Sequence, residues 1–257
     1  MGALVNLTCF ILAIQTAITY LSMSAFTITA ISDKANVSAR SSAAVLDVYV
    51  QNLQKKAGLA TKIIETFNHP DVFLAQEINL QSESEASFPA SYVSRRGYGT
   101  AIYAKNGSTD LSNIRRIASP HSEHLWTIVK KTTIAAYSYP GSDVELVSFH
   151  GYNGWPRRDE VQKLVDHVES VLAVIMRDKP AIFAGDFNTW TAEHLDAVTH
   201  VMSQAGFELV YSWPYPGQKD LTLDHAFVRG MELVHCDTFQ NDSDHLGALL
   251  SLEIRTT

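Results

Sequence analysis

The sequence predicts an α/β protein in which two β-sheets pack together with helices on their outer faces. Short apolar, β-branched runs bounded by turn residues occur in both halves of the 257-residue chain, and each half also carries a long amphipathic helix. A doubly wound parallel sheet, the competing architecture, needs a helix between most strands. The middle third of the chain shows strand patterns and no helix pattern. With 46% apolar residues the chain can bury one substantial core, and a single domain of ~200–250 residues is ordinary for a large sandwich.

Residues 1–32 contain no charged side chain, Asp33 being the first. A secretory signal ending near Ala30-Ile31-Ser32 lacks the basic n-region. A membrane anchor has the length but is diluted by Thr, Ser and Gln15, and a buried helix is the third reading. Export or anchoring is favoured, so the protein is expected to be secreted or membrane-anchored rather than cytoplasmic. Residues 33–44, with Ser38, Ser41 and Ser42, read as a linker, leaving 45–257 as the folded domain.

Val45–Val50 is β-branched and aromatic, hence a strand. Lys56–Phe67 carries Leu59, Ile63, Ile64 and Phe67 at helical spacing. Asp71–Glu77 and Gly97–Lys105 are strands, the second followed by the turn signal Asn106-Gly107. Leu125–Val129, Thr132–Tyr137 and Val144–His150 continue as strands. Pro156 opens a helix whose apolar face is Val161, Leu164, Val165, Val168, Val171 and Leu172. The apolar run Ala181–Ala184 is a buried strand, Ala192–Gln204 a helix closed by Gly206, and Leu221–Val228 and Leu246–Ile254 are strands.

A net charge of −7 argues against a broad basic surface for nucleic acid. It does not argue against an enzyme that meets phosphodiesters through a bound cation, which supplies positive charge locally. The two cysteines are Cys9, in the N-terminal apolar stretch, and Cys236. A disulfide framework or thiolate metal site within the folded part is therefore excluded, and oxygen ligands suit Mg²⁺, Mn²⁺ or Ca²⁺ better than zinc.

The run Gly185-Asp186-Phe187-Asn188 sets a carboxylate and a carboxamide two residues apart at the mouth of a buried strand, both on one side of the chain. A turn is the plain reading of such residues. Other strand ends carry the same chemistry: Asn52, Glu77, His150, Asp224-His225 and Asp244-His245. Polar groups in apolar strands are costly unless paired, and this set of Asn, Asp, Glu and His suits phosphoester hydrolysis. A divalent cation would take carboxylate oxygen, an Asp or Asp-paired His would orient and deprotonate water, and imidazoles would donate to phosphoryl or leaving-group oxygen. Neither a nucleophile elbow nor a Walker-type loop is present.

The ordered set Gln51-Asn52-Leu53-Gln54, Ala75-Gln76-Glu77, Phe149-His150, Gly185-Asp186-Phe187-Asn188, Leu223-Asp224-His225-Ala226-Phe227 and Ser243-Asp244-His245 resembles the endonuclease/exonuclease/phosphatase superfamily, in particular its deoxyribonuclease I-like members. The resemblance runs from Val45 to the C-terminus. It implies a four-layer αββα sandwich with two mixed sheets and a Mg²⁺-dependent hydrolase. Glu77 would be the primary metal ligand with Asn52 beside it, and Asp244 would assist. Asp186 would orient or deprotonate the attacking water, and Asn188 would hold that water or the phosphate. His245, oriented by Asp224, would act on the scissile phosphate as an acid/base. His150 resembles the second catalytic histidine of the deoxyribonuclease-like branch.

There are departures: Gln51 stands where an aromatic usually precedes the first Asn, and the basic helices that grip duplex DNA are not evident. Tyr152, Trp155 and Trp190 are read either as stacking on a base or headgroup or as packing at the sheet edge. Arg95-Arg96 and Arg157-Arg158 read as solvated pairs, and His121 and His124 as part of a polar loop. Nucleic acid is the expected substrate, with a phospholipid or phosphoinositide headgroup as the alternative. A non-catalytic binding module of the same fold is the third reading. A monomer is expected.

Overall fold

Alternation along the strands sorts their side chains into two faces, and the sorting builds the layers. A computed structural model describes residues 29–31, 44–83, 87–123, 128–153 and 160–255. One sheet holds seven strands: β1 (Thr29–Ile31), β2 (Val45–Asn52), β3 (Val72–Asn79), β4 (Ala90–Val93), β5 (Tyr98–Ala104), β12 (Met231–Gln240) and β13 (Gly247–Ile254). Their order is β1-β12-β13-β2-β3-β5-β4. The other holds six: β6 (Leu111–Glu123), β7 (Ile128–Tyr139), β8 (Ser142–His150), β9 (Ala181–Asp186), β10 (Glu208–Tyr215) and β11 (Gln218–Arg229). Their order is β10-β11-β9-β8-β7-β6. Both sheets are mixed: β2 runs parallel to β3, and β8 to β9, amid antiparallel neighbours.

Leu46, Val48 and Val50 of β2, Leu74 of β3, Leu146 of β8, Ile182 and Ala184 of β9, and Ala226 of β11 share the core between the sheets. The intervening residues face outward. Tyr49 and Phe73 bury helix α1 (Leu59–Thr66), which contributes Leu59, Ile63 and Ile64. Phe149, Phe183 and Phe227 bury α2 (Val161–Leu172) and α3 (Ala192–Gln204), which contribute Leu164, Val168, Val198 and Met202. The result is the expected sandwich of helix, sheet, sheet and helix.

Polar ties also cross the interface. Gln76 Nε2 donates to Ser148 Oγ at 3.0 Å, and the Thr100 and Thr133 hydroxyls meet at 2.8 Å. Among the described residues no helix is long and apolar enough to cross a membrane.

Five strands that the sequence does not announce are present: β4, β6, β10, β12 and the short β1. The first three are sheet edges. An edge strand buries little on either face, and β6 is largely exposed or half-buried along its length. Its sequence therefore carries no clean apolar alternation, and His121 lies in this strand, not in a loop; its ring Nε2 is 2.6 Å from Asp166. Thr29–Ile31, at the end of the N-terminal apolar segment, pairs antiparallel with β12. Residues 1–28 and 32–43 lie outside the described residues, and with them most of the expected signal or anchor and the linker. His124, Trp155 and the pair Arg157-Arg158 lie outside them too.

Candidate active site

The strand phase that fills the inter-sheet core also delivers the site. Asn52 continues the inward set of Leu46, Val48 and Val50, and Asp186 continues Ile182 and Ala184. In the six-stranded sheet Asp224 pairs in register with Asp186, and Asp186 with His150. Three polar side chains thus stand abreast on adjacent strands, facing the other sheet where its apolar filling ends.

Backbone departures aim the rest. Glu77 lies within a register shift between β3 and β5 and has φ +46°, a conformation that costs energy in a non-glycine residue and concentrates at functional sites. Gly185 has φ +141°, and a Cβ there would sit 2.1 Å from the Phe149 carbonyl oxygen. Only glycine lets β9 lie this close to β8. Asn188, at φ +56°, turns its main-chain N–H onto Asp186 Oδ1 at 2.9 Å. Its side chain donates to the Gly151 carbonyl at 3.1 Å. Phe187 points the opposite way, with ring centroids 4.7 Å from Phe149 and 5.3 Å from Phe227.

Asp186 is the hub. Its Oδ2 accepts from Asn52 Nδ2 at 2.9 Å and lies 3.6 Å from His150 Nε2 and 3.9 Å from His245 Nε2. His245 Nδ1 meets Asp224 Oδ2 at 2.7 Å. The turn carrying His245 is tied to β2: Ser243 Oγ donates to the Asn52 carbonyl at 2.6 Å, and Gln51 Nε2 donates to the His245 carbonyl at 2.8 Å. Gln51 and Asn241 also exchange amide hydrogen bonds of 3.0 and 2.8 Å. The departure Gln51 thus serves as a buried fastener for the loop that presents Asp244 and His245.

The electrostatics split the two histidines. Burial alone would strip the proton from His245, but the carboxylates of Asp224 and Asp186 and the Asp224 hydrogen bond hold its pKa well above the ordinary histidine value. Burial, reinforced by the Lys130 ammonium, pushes His150 far below it. Burial likewise pushes Asp224 up, to about 6, although His245 opposes the shift. At Glu77 burial is outweighed by Lys130 and Lys55, which hold the carboxyl below its ordinary value; Lys55 Nζ is 2.8 Å from Glu77 Oε2.

A cavity of about 160 Å³ joins these groups. Asn52, Glu77, His150, Asp186, Asn188, Asp244 and His245 all line it, and Asp224 lies buried beneath His245. Every site residue expected from the sequence is therefore in one place. The sequence reading missed Gln54, Lys130, Asn153, Tyr215 and Leu223, and it left Trp190 undecided. Lys130 sits with Lys131 between the two apolar runs that the sequence marks as strands, and Tyr215 is an aromatic in the turn-rich Trp213-Pro214-Tyr215-Pro216.

Glu77, Asn52 and Asp244 offer hard oxygen donors, and Asp244 Oδ1 is buried with no hydrogen-bond partner among the described residues. That donor set fits Mg²⁺, which keeps several waters and takes one or two protein carboxylates. Among the described residues no three His, Cys, Asp or Glu side chains form a closed metal cage.

The αββα sandwich opens between its two sheets into a cleft lined by carboxylates and imidazoles. A family model described as Endonuclease/Exonuclease/phosphatase family matches residues 36–245. The chain belongs to that family. It is 37% identical over 130 residues to a UPF0294 protein of Vibrio vulnificus; the match covers 46% of this chain and 43% of that protein, so the chain spans less than half of that relative's length. Among solved structures it is similar to the endonuclease/exonuclease/phosphatase of Beutenbergia cavernae (TM-score 0.64, 14% identity, 82% of this chain and 72% of that one). It is also similar to D. rerio TDP2 complexed with single-strand DNA product (TM-score 0.57, 17% identity, 81% of this chain and 99% of that one). At these identities the structural likenesses concern the fold.

Proposed function

We propose that the protein is a Mg²⁺-dependent phosphodiesterase that cleaves nucleic acid. The observation that carries this reading is Asp186: a buried carboxylate held by Asn52 and Asn188 and faced by two imidazoles, with an acidic, oxygen-rich wall across the same cavity. Asp186 orients the attacking water and takes its proton, because its oxygens are fixed and its position is central. The protonated His245, oriented by Asp224, donates toward the phosphoryl or leaving-group oxygen. Asn188 and His150 line the seat of the phosphate. Glu77 and Asn52, with Asp244 assisting, would hold the cation, which would polarise the phosphoryl group when bound. The charge-free, largely apolar residues 1–32 support an exported or tethered location.

Nucleic acid is favoured by the cavity mouth. The ring centroids of Trp190 and Tyr215 lie 6.4 Å apart beside His245, and aromatic faces accept bases of any sequence. The fold it shares with a protein solved with a single-strand DNA product supports the same class.

The test is a panel of plasmid DNA, RNA and sphingomyelin vesicles, each with Mg²⁺ and with a chelator. We expect cleavage of nucleic acid, abolished by chelation and lowered by roughly 10²–10⁴-fold in Asp186→Ala with the fold intact. Full turnover by Asp186→Ala would overturn the mechanism, and cleavage of sphingomyelin alone would overturn the substrate.

A further inference from the structure

Lys130 lies at the start of β7 with its side chain largely buried in the wall of the cavity. Its Nζ is 2.5 Å from His150 Nε2 and 3.9 Å from Glu123 Oε2. Glu123 is buried at the end of β6 and also accepts the main-chain N–H of Asn153. An ammonium has three protons and no lone pair. At the Lys130–His150 contact the lysine must therefore donate and the histidine accept, which places the imidazole proton on Nδ1. An Nε2 lone pair engaged in this way has no proton to hand to a leaving group. The positive charge on this wall is the lysine's.

Among the described residues, two other cationic groups near the cavity are engaged with carboxylates. Lys55 is half exposed and bound to Glu77 Oε2 at 2.8 Å, and His245 stands on Asp224. Among the described residues Lys130 Nζ meets His150 and Glu123, which leaves a third proton to meet an anion in the cavity.

We infer that Lys130 contacts a non-bridging phosphoryl oxygen of the substrate and of the phosphate product, and that His150 is a positioning residue that holds the ammonium through its Nε2 lone pair. The inference rests on reading the cavity as a phosphoester site. It gives the site a fixed cation made by the chain itself, separate from any bound metal. Lysine suits this part as a compact point charge on a stem long enough to bury.

The full chain and the variants Lys130→Gln, Lys130→Arg, His150→Gln, His150→Ala and Lys130→Gln/His150→Ala separate the possibilities. Two readouts are needed: calorimetric binding of inorganic phosphate, and kcat and KM for bis(p-nitrophenyl) phosphate, with thermal melts to confirm folding. Losing a charge-assisted hydrogen bond should weaken phosphate binding by roughly 10- to 100-fold in Lys130→Gln, and Lys130→Arg should retain most of it. His150→Gln keeps an acceptor for the lysine and should bind phosphate more tightly than His150→Ala, which should fall toward Lys130→Gln. Adding His150→Ala to Lys130→Gln should cost little more, as expected of residues acting as one unit.

Wild-type phosphate affinity in Lys130→Gln would overturn the inference. So would equal cost of His150→Ala in both backgrounds, or damage by His150→Gln equal to that of His150→Ala, since either makes His150 act on its own. A wild-type chain that binds phosphate through Lys130 but hydrolyses no ester would leave the phosphate seat standing and overturn the proposed function. A chain that neither binds nor hydrolyses would overturn both.

Discussion

His150 and His245 differ less in place than in company. Each is 6% exposed, and their Nε2 atoms lie 3.6 and 3.9 Å from the same oxygen of Asp186. One rests on an ammonium and the other on a carboxylate. The first is therefore neutral and the second is protonated. Burial disfavours the charged form of both, so burial alone does not predict which imidazole carries the proton. At His245 the neighbouring carboxylates outweigh the lost hydration, whereas at His150 the ammonium adds to it.

The sharpest way to break this contrast is to remove the carboxylate. Asp224→Asn leaves the shape of the pair but withdraws the charge that holds the His245 proton. The expected result is a fall in kcat/KM of roughly 10³-fold with an unchanged melting temperature. The alkaline limb of the pH profile should also move to lower pH, since the group that must stay protonated loses its proton earlier. A profile that keeps its alkaline limb would show that His245 does not set it.

A smaller effect should follow from Gly185→Ala. The added methyl meets the Phe149 carbonyl and the Gln76 side chain at 2.1 and 2.8 Å, so β9 must shift from β8. Overpacking of this kind costs about 1–3 kcal/mol, readable as a lower denaturation midpoint. Because Asp186 follows directly, activity should drop with stability; a variant with wild-type stability and turnover would show that the close approach is not needed.

The mildest effect at neutral pH concerns two further histidines, His167 and His225, which lack an ionic partner of either sign at hydrogen-bond distance among the described residues. His225 is bonded to the Thr189 and Ser212 hydroxyls at 2.7 Å each, and His167 packs on Phe149. Burial lowers each from the ordinary 6.5 to about 3. The unfolded chain therefore binds more protons than the folded one below pH 6.5. Stability should be fully present above that value and lost as pH falls toward about 3. Melting temperature against pH should show this slope, and His167→Leu should flatten it; an unchanged slope would place the acid sensitivity elsewhere.

Much of the site was legible because its carboxylates and amides interrupt strands that are otherwise apolar. Asp186 stands out against Ala181–Ala184, and its alternation with Phe187 named the inward face correctly. Glu77 and Asn52 were visible for the same reason. Lys130 was not, because it is made important by a contact with a residue twenty positions later, on a neighbouring strand. Tyr215 and Trp190 meet only through folding, across β10 and the segment after β9. Gln51 could be seen as a departure but not as the fastener of the His245 turn. The edge strands β4, β6 and β10 were lost because exposure on both faces removes the alternation that marks a strand.

Each sheet supplies an incomplete half of the cavity: Asn52 and Glu77 on one side, Lys130, His150, Asp186 and Asp224 on the other, with ties such as Gln76 to Ser148 across the seam. A molecule whose sheets had formed but not yet met would hold all its strands and no working centre. Recovered turnover after denaturation should accordingly time the meeting of the halves, a later event than the return of backbone circular dichroism.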